Sequence, residues 1–220
     1  MGTNSSFGTF EAVRILAPGY YFATLLLVFY WSVLSRYFSY LALDSLSLLL
    51  TFVAVGMVAG LTLYAKESTK RRKAFQENQP SFYLKSKSRT MSGLRTLEES
   101  EARQLYFYIL NNHMPPLFHE KIFFFGVVYH IMIQIRRTSF WFAVLAPIAL
   151  AIELSAGRQL PELQSLIAFT VIVWIIYLLN VRYNKADRKM QENYQDQIYW
   201  LEMNNDLVES ILRKRYSTEP

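Results

Sequence analysis

Four long apolar stretches constrain this chain more than any other feature of its sequence. They cover about residues 15–34, 40–64, 140–154 and 163–181. The hydrocarbon core of a bilayer is about 30 Å thick, and a helix needs roughly 20 mostly apolar residues to cross it. The second and fourth stretches are apolar on every side and lack the polar stripe of a helix in a water-soluble bundle. The sequence therefore predicts four transmembrane helices.

The composition agrees with a membrane protein that also has a water-exposed part. Only 18% of the 220 residues are charged, whereas soluble domains are about 25% charged. Aromatic residues make up 16% of the chain, which is too many for a disordered protein. The absence of cysteine excludes a disulfide scaffold, a thiolate zinc site and a cysteine nucleophile. We predict an all-α, polytopic membrane protein.

The orientation follows from the distribution of lysine and arginine. Basic residues are concentrated directly after the second stretch, at Lys66, Lys70, Arg71, Arg72, Lys73, Lys85, Lys87, Arg89 and Arg95. Cytoplasmic loops carry the excess of Lys and Arg, and the two short connections, after the first and third stretches, carry few of either. We therefore expect an inner (plasma) membrane protein with both termini in the cytoplasm.

Four segments follow from this topology. Residues 1–65 are predicted to form an N-terminal transmembrane hairpin and residues 138–182 a second one. Between them, residues 66–137 form a basic cytoplasmic insert, read as the end of a helix, a loop, a helix over about 96–112 and an interfacial helix over 117–137. A fifth span through 122–135 is the alternative, although its basic flanks would then face opposite sides of the membrane.

The last segment, 183–220, is predicted to be one long cytoplasmic helix. Its apolar residues recur at steps of three and four, with Asn205 filling one gap, at Met190, Tyr194, Ile198, Leu201, Val208 and Leu212. That period suits a coiled coil, and it equally suits a helix docked on the insert of the same chain. Tyr199 and Trp200 widen the apolar face beyond a strict seam, which favours docking.

Two glycines in the second stretch form a small-xxx-small motif. Gly56 and Gly60 lie one turn apart, and the missing side chains let two helix backbones approach closely in lipid. The motif predicts helix packing, either between copies of the chain in a homo-oligomer or against the first stretch of the same chain.

Asp44 is the only charged residue of the second stretch, and Ser45 and Ser47 lie beside it. A carboxylate in a span must reach the headgroups, pair with a cation or line water. Arg36, across the short outer loop, is the partner expected for a structural role. The alternative is a pore-lining ring in an oligomer.

The sequence offers no catalytic constellation that we can assign. His119 and Glu120 begin like a zinc-protease motif, but Phe123 stands where the second histidine is required. The spans contain serines without a histidine partner, and the glycines do not form a phosphate-binding loop. We expect no enzymatic activity, no cofactor and no metal. A small metal-dependent membrane enzyme using His113 and His119 is the least favoured alternative.

The basic insert predicts an anionic partner. Anionic lipid headgroups are the first candidate, because each basic residue near such a leaflet contributes about 1 kcal/mol. A cytosolic protein is the second, and direct nucleic-acid binding is not expected because no recognition motif is present. The predicted function is a non-enzymatic, oligomeric membrane subunit that anchors, senses for or regulates a cytosolic partner. The alternative is an ion channel or membrane-permeabilising effector. In organisation the chain is similar to small membrane subunits of prokaryotic signalling or antiviral defence systems.

Overall fold

The computed structural model describes residues 3–33 and 44–217, with the side chains of 3–7 and 68–74 excepted. The described residues form eight α-helices: α1 Thr3–Ser32, α2 Ser45–Ala74, α3 Pro80–Thr90, α4 Glu99–His113, α5 Pro116–Ser155, α6 Gln164–Tyr183, α7 Ala186–Met203 and α8 Asn205–Tyr216. A short 3₁₀ helix, Leu160–Leu163, precedes α6. The only extended pairing among the described residues is an isolated bridge between Leu94 and Ser217.

Four helical segments are long and apolar enough to cross a membrane, as the sequence predicts. They are Gly8–Ser32, Ser45–Glu67, Pro116–Ser155 and Leu160–Met203. All four extend beyond the predicted apolar stretches at one end or both, because helical hydrogen bonding continues into polar sequence while hydropathy marks only the apolar part. In α5 the predicted interfacial segment and the third apolar stretch form one 40-residue helix.

Local sequence explains where several helices begin and end. Glu98 and Glu101 form a capping box at the start of α4, in which the Glu101 carboxylate accepts the Glu98 backbone N–H at 3.0 Å. Pro116 occupies the first turn of α5, where its missing N–H costs nothing. Gly157, with φ of 81°, follows the end of α5 in the left-handed conformation that glycine adopts most easily.

The C-terminal segment is two helices, and the prediction of one long helix is wrong. The α7 helix ends at Met203, α8 begins at Asn205, and Asn204 lies between them. The Asn204 side-chain amide donates to the carbonyl of Trp200 at 2.8 Å. Asparagine side chains compete in this way with the hydrogen bonds of the helix backbone. Because Asn204 and Asn205 follow one another, this competition favours a break in the helix between Met203 and Asn205.

The chain divides into two compact units. Unit 1 comprises residues 1–67 and 127–186, and unit 2 comprises 68–126 and 187–220. In unit 1, aromatic and aliphatic side chains of α1, α5 and α6 form the buried cluster, with Phe142 in ring contact with Phe22, Phe29 and Phe169.

Unit 2 has a separate core built from α3, α4, α7 and α8. Leu105 and Ile109 of α4 are fully buried together with Leu201, Val208 and Leu212 of the C-terminal helices. The apolar face of the C-terminal segment thus docks on the insert of the same chain, which was the favoured alternative to a coiled coil.

Candidate functional site

The two glycines of α2 face α1 within unit 1. A Cβ atom added at Gly19 of α1 would overlap the carbonyl oxygen of Gly56 and lie 2.8 Å from Cα of Gly60. A Cβ at Gly60 would in turn overlap the carbonyl oxygen of Ile15. This face of α2 is therefore filled by the chain's own first helix. Self-association of the protein, which stays a prediction, requires a different surface.

Asp44 lies immediately before α2 and caps it. Its Oδ1 accepts the backbone N–H of Ser47 at 2.9 Å, as an N-cap carboxylate does. Hydrogen bonds from Ser47, with its side chain first, lower the pKa of Asp44 below its ordinary value. Asp44 and Ser45 are exposed and Ser47 is half-buried. The expected pairing with Arg36 lies outside the described residues.

The predicted basic residues differ in their surroundings. Lys66 and Arg89 are exposed, and Lys85 is half-buried. The side chains of Lys70, Arg71, Arg72 and Lys73 lie outside the described residues. Lys87 connects two helices of unit 2, since its ammonium group donates to the Asn205 side chain and to the Glu209 carboxylate, at 3.0 Å from the latter. The bond from Lys87 lowers the pKa of Glu209. Lys87 therefore joins α3 to α8.

A second basic group in unit 2 comes from the C-terminal residues, which were not among the predicted binding residues. Arg213, Lys214 and Arg215 are exposed in the last turn of α8. The chain around residue 95 pairs with the end of this helix, because the Arg95 N–H donates to the carbonyl of Tyr216 at 3.4 Å and the Arg95 guanidinium lies 5.4 Å from the Tyr216 ring centre. The run Arg213, Lys214 and Arg215 is the sequence feature from which this basic group could have been predicted.

Arg215 is held against the outer side of α4. Its guanidinium carbon lies 3.8 Å from the ring centre of Tyr108, which is within the range of a cation–π contact. Phe107, the preceding residue on α4, keeps 49% of its surface exposed. The exposed side of α4 thus carries an arginine stacked on a tyrosine beside an accessible phenylalanine.

A network of polar side chains connects α1 and α2 at one end of unit 1. Glu11 binds Arg14 at 2.6 Å and accepts the Tyr64 hydroxyl at 3.1 Å. The Arg14 guanidinium also lies 5.8 Å from the Tyr64 ring centre.

The same network continues to α5. The Tyr64 and His130 ring centres lie 5.3 Å apart, and Gln134 donates to the carbonyl of Leu63 at 3.1 Å. Arg137 forms an ion pair with Glu67, whose side chain is only 2% exposed. We call Glu11, Arg14, Tyr64, Glu67, His130, Gln134 and Arg137 the polar belt. The spacing of His130, Gln134 and Arg137 by four and three residues puts them on one side of α5, but their partners on α1 and α2 were not predicted.

Unit 1 also contains a groove of about 660 Å³ between α1, α2 and α6. Its lining is almost entirely apolar and includes Val28 and Trp31 of α1, Leu48 of α2 and Ile172 of α6. Apart from the hydroxyls of Ser32 and Ser165, this lining offers no acid, base or nucleophile. Among the residues that the structure describes, no three His, Asp or Glu side chains are grouped so that they could hold a metal ion.

The chain matches no protein-family model, no curated protein and no solved structure. The geometry of the two units is therefore the basis for the functional conclusion.

Proposed function

We propose that the protein is a four-span inner-membrane protein whose unit 2 is a cytoplasmic module that holds a cytosolic partner protein. The observation that supports this proposal is the separate core of unit 2. Two chain segments on either side of the α5–α6 hairpin build that core, in which Leu105, Leu201 and Leu212 are fully buried. A compact module connected to membrane helices suits partner binding better than lipid binding, because a basic segment without a folded core is sufficient to bind anionic lipid.

The polar belt supports the assignment of the spans. The belt connects Arg14, Tyr64 and, through Glu67, Arg137, so it marks one level on α1, α2 and α5. From that level to the opposite helix end, each of these helices has about 20 residues, or about 30 Å, which is the thickness of the hydrocarbon core. The first half of α5 then lies outside the hydrocarbon, and a fifth span through 122–135 is not needed.

The distribution of charge indicates which end of unit 1 faces the cytoplasm in this proposal. Four basic residues lie close in sequence to the belt end of the helices of unit 1: Lys66, Arg136, Arg182 and Lys185. At the other end Arg158 is accompanied by Glu153 and Glu162, to which it is paired at 3.6 and 3.5 Å. The excess of basic residues supports a cytoplasmic location for the belt end.

Substituted cysteines test this topology cleanly, because the natural chain has none. Gln159 and Gln76 are both exposed glutamines, one in the α5–α6 connection and one in unit 2. A membrane-impermeant maleimide is expected to label Gln159→Cys in intact spheroplasts, and Gln76→Cys only after permeabilisation. Equal labelling of both variants in intact cells would refute the topology.

The partner role is tested by purification of the full chain in mild detergent. We expect a cytosolic protein to co-purify in a fixed ratio and to leave the membrane fraction when the chain is deleted. Absence of such a protein, together with ion flux through the purified chain in vesicles, would favour the channel alternative. In that case Asp44→Asn should abolish the flux.

A further inference from the structure

We propose that the outer side of α4, completed by the last turn of α8, is the surface that binds an acidic segment of the partner protein. Gln104, Phe107, Tyr108 and Asn111 are spaced by three and four residues and therefore share one side of α4. Arg215 lies on this side through its contact with Tyr108. We call these five residues the α4 face. This inference rests on the proposed function, because it identifies the surface that the partner occupies.

The α4 face has the composition of a protein-binding surface. Phe107 remains 49% exposed although the next residue, Tyr108, is covered by Arg215. Exposed aromatic residues and arginines are enriched at protein interfaces and contribute most of the binding energy there. An apolar side chain of the partner that covers Phe107 would remove this surface from water, which is favourable.

The charge next to the α4 face selects an acidic partner. Arg213, Lys214 and Arg215 are exposed in one helical turn, whereas the nearby carboxylates of Glu209 and Glu101 are already bound to Lys87 and Arg95. Stacking on Tyr108 fixes the plane of the Arg215 guanidinium. A guanidinium fixed in this way is preorganised for a bidentate hydrogen bond to a carboxylate.

The first turn of α4 argues against a uniform polyanion such as nucleic acid. Glu98 and Glu99 are exposed there, and Glu101 is half-buried in the same turn. A continuous phosphate backbone along α4 would be repelled by these carboxylates, since like charges placed together across an interface disfavour binding. A protein segment avoids that cost, because its acidic residues can face the end of α8 while neutral or basic residues face the start of α4.

Photocrosslinking in living cells tests the proposal on the full chain. The photoreactive residue p-benzoylphenylalanine replaces Phe107 in one variant and Phe82 in a control variant. Phe82 is a suitable control because it is a 40% exposed phenylalanine on α3 of the same unit. We expect the Phe107 variant to give an adduct with one protein, through a segment rich in Asp and Glu. The Phe82 variant is expected to give little or none.

Charge reversal then separates this surface from general attraction by a basic protein. Arg215→Glu should lower the Phe107 adduct on the order of tenfold, because it removes a stacked arginine at the contact. Arg188→Glu makes the same change of charge at an exposed position on α7 and should leave the adduct unchanged. Circular dichroism and the melting temperature of both variants establish that unit 2 remains folded.

Several results would overturn the inference: an adduct with lipid, nucleic acid or a second copy of the chain, no adduct at all, or equal adducts in the Arg215→Glu and Arg188→Glu variants. If the partner still co-purifies with Arg215→Glu as it does with the natural chain, the partner role stands and the assignment of the α4 face is wrong. If nothing co-purifies with the natural chain, the proposed function itself fails.

Discussion

Replacing Gly19 with alanine should destabilise unit 1, although alanine is the better helix former. The new Cβ would overlap the carbonyl oxygen of Gly56 and lie 2.8 Å from Cα of Gly60. Both obstacles belong to the main chain, so no side-chain rotation relieves them, and α1 must move away from α2. Inserting a methyl group into a packed interface costs about 1–3 kcal/mol.

The magnitude follows from two opposing contributions. With rigid obstacles we expect the upper end of that range, about 3 kcal/mol, offset by about 1 kcal/mol gained from replacing glycine within a helix. The net loss is about 2 kcal/mol, which corresponds to a fall of about 4–8 °C in the melting temperature of a chain of this size.

Three other glycine-to-alanine variants give the matched series. Gly8→Ala meets nothing within 4 Å and should be slightly stabilising. Gly56→Ala meets the Tyr20 ring at 2.6 Å, and this side chain can turn away at the cost of its stacking on Phe52. Gly60→Ala meets the main chain of Ile15 and should resemble Gly19→Ala.

Thermal unfolding in one detergent, followed by circular dichroism, measures the order of the series. We expect stability to decrease from Gly8→Ala through Gly56→Ala to Gly60→Ala and Gly19→Ala. If Gly19→Ala is as stable as Gly8→Ala, the close approach of α1 and α2 is not present in the protein. If instead Gly56→Ala and Gly60→Ala alter only the oligomer mass, the glycines serve self-association.

Three further predictions concern charged residues. Arg137→Met removes the cation paired with the buried Glu67 carboxylate and should cost about 1.5–3 kcal/mol of stability, since the Arg137 side chain is itself 38% exposed; the double variant with Glu67→Gln should recover most of it in chemical denaturation, and no recovery would contradict the pairing. Asp44→Ala should lower the melting temperature while Asp44→Asn, which keeps a capping oxygen, should not; equal losses would mean that Asp44 does not act as the cap. Because Lys87 lowers the pKa of Glu209, this contribution to stability is complete above the ordinary glutamate pKa and is lost as the pH falls through the lowered value. Lys87→Met should therefore weaken the acid dependence of the melting temperature, and an unchanged pH profile would refute that coupling.

The four long apolar helices could be predicted from the sequence, because a run of apolar residues is a local property that a membrane requires of each helix separately. The α4 helix was also recognisable, since Glu98 and Glu101 provide a local start signal. By contrast, the loop predicted before residue 96 is wrong where α3 forms, over Pro80–Thr90. Pro80 suggested a break, whereas it occupies the first turn of a helix, where proline is favoured.

The polar belt and the α4 face could not be predicted, because both depend on contacts between distant parts of the chain. Tyr64 and Glu11 are 53 residues apart, and Arg215, near the C-terminus, contacts Tyr108 in the middle of the sequence. Helical periodicity places a residue on a side of its own helix but does not identify which helix lies opposite. The break at Asn204 was missed for another reason, since a continuous apolar period conceals a local interruption of the helix.

The split construction of unit 2 has a consequence for synthesis on the ribosome. Leu105 and Ile109 of α4 are covered by Leu201, Val208 and Leu212, which are translated only after α5 and α6. At about 5–20 residues per second, the apolar side of α4 stays uncovered for several seconds while α5, α6 and α7 are synthesised. A nascent chain arrested near residue 185 should therefore be a substrate for chaperones and proteases, and full-length chains should escape both once the C-terminal helices have docked.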